Sequence, residues 1–257
     1  MRAVAEHAGF PASIPVLLLL GRPASGKSEI IDFLKGRDAA QRQALHVAEP
    51  AVLDDFPLLW EWFEEDSILE QMGHPRLHTT PDGYFRAQHL WDVLVRRLCL
   101  AYDKLRAAEP SLHHRRTVIV EFSRGTEHGG YRRAFENLSP AVLKAASVLY
   151  VRVSYEESLR KNRRRFNPDR PHSILDHGLP DDKLERLYRH DDWDQLPRGD
   201  RGSLLVRGAP LPAAVFENED DLTTPWRESR AGEALQRRLA GSLDELWEKG
   251  RSSMGRS

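Results

Sequence analysis

The densest chemistry in the chain lies in Gly21-Arg22-Pro23-Ala24-Ser25-Gly26-Lys27-Ser28. This run fits Gly-x-x-x-x-Gly-Lys-[Ser/Thr], the pattern of a loop that wraps a polyphosphate. Glycines at 21 and 26 let the main chain close on an anion with its N–H groups inward, those of Ala24 and Ser25 among them. Lys27 brings a point charge to the outer phosphates, and the Ser28 hydroxyl is a ligand for Mg²⁺. A helix that starts at this point turns its positive end toward the same anion.

Ligands of open α/β sheets sit beyond the carboxyl ends of the strands, so the polar residues that end each apolar run come next. Asp54-Asp55-Phe56-Pro57 closes the second run. An acid there can take the proton of an attacking hydroxyl or help hold Mg²⁺. Asp54, Asp55 and the upstream Glu49 all compete for the role of base, and a helix-capping aspartate is an equal reading. Glu121-Phe122-Ser123-Arg124 closes the third run; Glu121 can hold Mg²⁺ or a substrate hydroxyl, and Arg124 can grip the acceptor. Beyond the fourth run stand Arg160, Lys161, Asn162, Arg163, Arg164 and Arg165, followed by Asp169 and Arg170. Guanidinium groups there can neutralise a phosphoryl group in flight, and Arg160 and Arg164 are the candidates. Asn218-Glu219-Asp220-Asp221 follows the fifth run, where Asn218 can flank an adenine ring; an acidic turn is an even alternative. The eleven histidines, His113, His114, His172 and His177 among them, show no metal-ligand spacing.

These residues need strands and helices to place them. The continuous apolar run 16–20 predicts a strand buried on both faces, and Ile30, Ile31, Phe33 and Leu34 predict a helix ending at Gly36. A second strand is expected within 45–54, interrupted or ended near Pro50, then a helix over 58–72 and a loop over 73–83. Trp91, Val95, Leu98, Tyr102 and Leu105 predict a long helix over 84–108. Strands are expected over 117–122, 148–153 and 213–217. Ser139-Pro140 starts a helix, and Ser154 with Glu157 forms a capping box for another through Phe166. A polar loop over 167–180, a helix over 181–188 and a closing helix over 228–249 complete the pattern, with a loose lead-in over 1–15 and a disordered tail over 250–257. Strands alternating with helices imply an α/β fold of three layers, with a five-stranded, mostly parallel sheet.

Composition agrees. Apolar residues are 40% and charged residues 30%, which suits a globular core. Lys+Arg at 38 against Asp+Glu at 39 leaves no basic excess for nucleic acid. The lone Cys99 excludes a disulfide within the chain and reads as core. No apolar run reaches the length of a membrane span, so a cytoplasmic location without membrane partners is expected.

Taken together, the strand-end groups resemble the P-loop nucleoside and nucleotide kinase group, with uridine kinase and nicotinamide riboside kinase nearest. Gly21–Ser28, Asp54-Asp55-Phe56, Val118-Ile119-Val120-Glu121 and the arginines 160, 163, 164 and 165 carry the resemblance, which spans about residues 15–247. Ser123-Arg124 and Glu49-Pro50 are instead similar to the Glu-Arg-Ser and Glu-Pro motifs of deoxynucleoside kinases, which would make Glu49 the base. The resemblance implies a P-loop NTPase fold in a single domain, with a helical lid over about 155–190. It also implies ATP and Mg²⁺ as cofactors, and a γ-phosphoryl transfer to a hydroxyl of a small polar acceptor, nucleoside-like first. An antibiotic or sugar-nucleotide kinase, a regulatory nucleotide switch and a nucleic-acid end kinase are the rivals. The oligomeric state stays open.

Overall fold

Apolar runs with side chains packed on both faces become the central strands of one sheet. The computed structural model describes residues 12–165 and 178–254. Its first half holds β1 (Val16–Gly21), α1 (Lys27–Lys35), α2 (Ala39–Gln43), β2 (Glu49–Asp54), α3 (Asp55–Gln71), α4 (His89–Ala108), α5 (Leu112–Arg115) and β3 (Arg116–Phe122). The second half holds α6 (Gly130–Asn137), α7 (Pro140–Ala145), β4 (Ala146–Arg152), α8 (Tyr155–Arg165), α9 (Asp181–Tyr188), β5 (Leu204–Val206), β6 (Ala209–Leu211), β7 (Ala213–Glu217), α10 (Thr223–Ser229) and α11 (Glu233–Met254).

The five-stranded sheet has the order β2-β3-β1-β4-β7, and every pairing in it is parallel. Alternation along β1 serves both faces. Val16, Leu18 and Leu20 pack with Val95 and Tyr102 of α4 and Tyr131 of α6. Leu17 and Leu19 pack with Phe33 of α1 and Leu235, Leu239, Leu243 and Leu246 of α11. Each such buried side chain contributes about 1.5–3 kcal/mol by leaving water. The central position of β1 fixes the loop that follows it against this double core.

Several expectations are corrected. Pro50 lies inside β2 instead of ending it, because β2 is an edge strand and a residue without an N–H is tolerated there. α3 starts at Asp55, with the Asp54 side chain accepting from the Phe56 N–H at 2.9 Å. α4 starts at His89, later than the aromatic spacing suggests. Residues 250–254 continue α11 as helix, so that part of the tail is ordered. The antiparallel β5–β6 hairpin and α6 were not anticipated. The capping box at Ser154 is half formed. Its hydroxyl accepts from the Glu157 N–H at 3.0 Å, but the Ser154 N–H donates to Glu219 at 2.6 Å while Glu157 pairs with Arg160. The expectations that fall on 1–11, 166–177 and 255–257, Asp169, Arg170, His172 and His177 included, lie outside the described residues.

The late start of α4 follows from a β-bridge of Thr79 with Phe85, in which the Thr80 N–H donates to the Tyr84 carbonyl at 2.8 Å and the Arg86 N–H to the His78 carbonyl at 2.9 Å. Asp66 anchors the 77–79 side of it. This carboxylate is fully buried and accepts from the N–H groups of Leu77 (2.7 Å), His78 (2.9 Å) and Thr79 and from the Thr79 hydroxyl (2.6 Å). It fixes residues 77–79 as a non-helical loop against α3. Burial pushes its pKa up, yet the bonds from Thr79, Leu77 and His78 prevail and hold it at about 2, against an ordinary 3.8. A depressed pKa stabilises the fold above pH 4, and that contribution fades as pH falls from 4 toward 2. Asp66→Ala strands several buried donors, so urea denaturation at pH 7 should show a loss of about 3 kcal/mol. The gap between variant and wild type should narrow at pH 3.

Candidate active site

The loop that leaves β1 is wrapped as tightly as its glycines allow. A Cβ at Gly21 would lie 2.5 Å from the Val151 carbonyl oxygen. Gly26, at φ +112, caps α1, and a Cβ there would meet Thr223 at 2.6 Å and Asn218 at 2.7 Å. Ala24 also takes a left-handed conformation, at φ 56. Outside groups hold this shape. Asn218 is fully buried, donates to the Ser25 carbonyl at 2.7 Å and accepts from the Leu222 N–H at 2.9 Å. It therefore braces the loop from behind. Ser158 of α8 donates to the Pro23 carbonyl at 2.8 Å. Arg22 donates to the carbonyls of Val153 (3.1 Å) and Tyr188 (3.2 Å) and pairs with Asp191 at 2.8 Å. Nothing in the local pattern marks Arg22 as this clamp, because its partners are more than 130 residues away.

Lys27 is buried and points along the loop. Its ammonium donates to the Arg22 carbonyl (3.0 Å) and the Ser123 hydroxyl (2.9 Å), with Glu121 3.8 Å away. Burial holds its pKa below the ordinary lysine range, offset in part by Glu121. Glu121 and Asp54 are register partners on adjacent strands, so both carboxylates stand at the same edge of the sheet as the loop. Burial raises both pKa values. Asp54 is pushed up to about 7 by burial first, then by Glu121 and Asp55. Asp55 differs: its carboxylate meets the Arg124 guanidinium at 2.6 Å, with 8% and 2% of the side chains exposed. Arg124 is further held by the Ser123 carbonyl at 2.7 Å and lies 5.2 Å from the ring centres of Trp91 and Phe122.

Lys27, Ser28, Asp54, Asp55, Glu121 and Arg124 line one cleft of ≈ 1370 Å³. Trp60, Phe63, Tyr84, Phe85 and Trp91 line it too, as the aromatic spacing suggested. Trp62 does not; it is buried and stacks on His78 with 4.9 Å between ring centres. Glu49 opens β2 opposite Arg116, at the far end of the strand from the loop, which removes it as a base. Among the arginines of α8, Arg165 faces the cleft and pairs with Glu29 at 2.9 Å. Arg160 turns to Glu157 and Asp221 instead, and Arg164 pairs with Glu228 at the rim of a smaller ≈ 300 Å³ pocket beside Ala24. His128 was missed by sequence reasoning and has no local signature. Its ring is 2% exposed, lies 3.8 Å from the Trp91 ring centre, and accepts the Gly125 N–H at Nδ1. The Nε2 of His128 is buried without a hydrogen-bond partner among the described residues.

The fit to a nucleotide rests on the cradle itself: two glycines that exclude a Cβ and a buried ammonium between strand-end carboxylates. Among the described residues no three His, Cys, Asp or Glu side chains converge to hold a metal alone. Among the described residues no helix is long and apolar enough to cross a membrane.

No family model matches the chain, and no curated protein matches it. Among solved structures it is similar to TT1252 from Thermus thermophilus. The two are 15% identical over 87% of this chain and 98% of that one, with a TM-score of 0.35. At that distance the likeness assigns no residue a role.

Proposed function

We propose that the protein is an ATP-dependent phosphotransferase of P-loop NTPase type that moves the γ-phosphoryl group to a hydroxyl of a small polar acceptor. One observation carries this reading: a complete phosphate loop closes one end of a cleft in which Asp54 and Glu121 stand side by side. The α/β fold with its parallel sheet and the loop on the central strand supports it.

In this reading the loop amides and Lys27 hold the phosphates. Mg²⁺, when bound, supplies charge neutralisation between the phosphates, with the Ser28 hydroxyl and Glu121 or Asp54 as its protein ligands. Asp55 is committed to Arg124, which leaves Asp54 as the base. The acceptor oxygen bonds to the γ-phosphorus as the bond from that phosphorus to the bridging oxygen breaks. ADP leaves with the electron pair, and the acceptor proton passes to the Asp54 carboxylate. The Asp55–Arg124 pair positions the acceptor, and Arg165 faces the developing charge.

The test is ADP formation from Mg·ATP in the presence of nucleosides, sugars and aminoglycosides, with the product traced by ³¹P NMR. One class should raise turnover and carry the new phosphate ester. Equal, slow ADP formation with every compound would refute transfer and leave a nucleotide switch.

A further inference from the structure

The cleft, ≈ 1370 Å³ in volume, extends along α3. Phe56, Trp60, Phe63, Ser67, Ile68 and Gln71 all line it, at spacings of three, four and one along α3. They form one face running the length of the helix, from the Asp54 end to its last residue, about 24 Å at 1.5 Å per residue. Lys27 of the loop senses the charges of Asp54 and Asp55, at the first turn of α3. The far end is open: Ile68 is 56% exposed.

The chemistry along this face is selective. The near half is aromatic, with Phe56, Trp60 and Phe63 facing Tyr84 and Phe85. Polar groups are interleaved: Glu64, which accepts from the Trp60 ring N–H at 2.8 Å, then Ser67, Gln71 and Gln88. An acyl chain would cover the Gln71 and Gln88 amides, whereas Glu64 and Ser67 are already bonded, Ser67 to the Phe63 carbonyl at 2.9 Å. α3 carries neither lysine nor arginine, so a polyanion would find its counter-charge off this floor, at groups such as Arg165 and Arg227 of the same cleft. Across the cleft, Lys183 and Arg186 lie over the Tyr84 ring at 5.3 and 4.3 Å. Aromatic faces alternating with carboxylate and amide groups match flat, hydroxyl-bearing or amino-bearing rings.

Resting on the phosphotransfer reading above, we infer that the acceptor is an elongated glycoside of several linked rings, neutral or amino-substituted. It lies along α3 with its reacting hydroxyl at the Asp54 end.

The probes are one-, two-, three- and four-ring aminoglycosides, neutral oligosaccharides of matching ring number, and uridine, each titrated calorimetrically into the wild-type protein. Affinity should rise about tenfold from one ring to two and again to three, a step of 1.4 kcal/mol each. Ser67→Trp and the more exposed Gln71→Trp fill the far half of the groove. Each should weaken the four-ring ligand about tenfold or more and the one-ring ligand about twofold or less. Uridine or a single ring binding as tightly as three rings would overturn the inference. So would folded tryptophan variants that keep the full dependence on ring number. Mg·ATP titrated into the same samples separates the two claims. ATP binding that depends on Lys27, with no dependence on ring number, overturns the glycoside alone. Absence of ATP binding overturns the phosphotransfer reading on which it rests.

Discussion

Replacing Lys27 by alanine should reduce ADP formation by at least about 10²–10³-fold while the protein stays folded. The loss is large because the ammonium is set inside the loop, between the Arg22 carbonyl and the strand-end acids, whereas the Arg22 guanidinium turns outward to Asp191. It is buried, so in the proposed reaction it would act on the phosphates with little screening by water. The fold should survive for a reason visible in the same site. Glu121 loses its neighbouring cation, but burial already raises its pKa, and it can protonate instead of standing as an unpaired charge. Circular dichroism and a thermal melt should match wild type within a few degrees. Full activity in Lys27→Ala would remove the loop from the reaction.

Asp54→Asn and Asp55→Asn should divide in opposite directions. Loss of the proposed base, Asp54, should lower kcat/KM by about 10²–10⁴-fold. Asp54→Asn should nevertheless be as stable as wild type or more so, by on the order of 1 kcal/mol at pH 8. Its carboxyl titrates at about 7 in the fold against an ordinary 3.8, so the fold favours the protonated form. That preference stabilises most below pH 4 and is lost as pH rises through 7; asparagine has no such loss. Wild-type kcat/KM should rise with pH around a midpoint near 7, and the rise should vanish in Asp54→Asn. Asp55→Asn leaves the buried Arg124 guanidinium without its counter-charge. It should cost about 3–5 kcal/mol of stability, with a smaller loss of rate wherever it folds. Equal effects of the two variants on rate and stability would contradict the division of roles.

What could be read from the residues alone is what is local. The Gly21–Ser28 run is contiguous, and Asp54 and Glu121 end apolar runs, so their place beside it follows from a parallel sheet. Of the helices in the double core, α1, α4 and α11 follow from their spacing, whereas α6 does not. What escaped depends on how elements dock. Arg165 rather than Arg160 faces the cleft because α8 seats Ser158, Lys161 and Asn162 inward, and Arg165 continues that stripe. The docking bond from Ser158 to Pro23 that sets this phase has no trace in the charge run. Asn218 opens the acidic turn, whose Asp221 N–H donates to its carbonyl at 3.1 Å, and its side chain also braces the loop's back, a relation spanning nearly two hundred residues. Glu49 looked competent until the parallel register put it at the wrong end of β2. Residues 84–88 have helical aromatics, yet the β-bridge of Thr79 with Phe85, anchored by the carboxylate of Asp66, delays the helix. His128 shows its character only once Trp91 and Gly125 surround it.

The claim on which the rest depends is that main-chain amides and one buried ammonium grip a polyphosphate beside the acids that end β2 and β3. Calorimetric titration of Mg·ATP into wild-type and Lys27→Ala protein tests it directly. Binding at micromolar concentration in the wild type, weakened about a hundredfold or more by the substitution, is the predicted result. Absence of binding at millimolar Mg·ATP, or equal affinity in the two proteins, would contradict it.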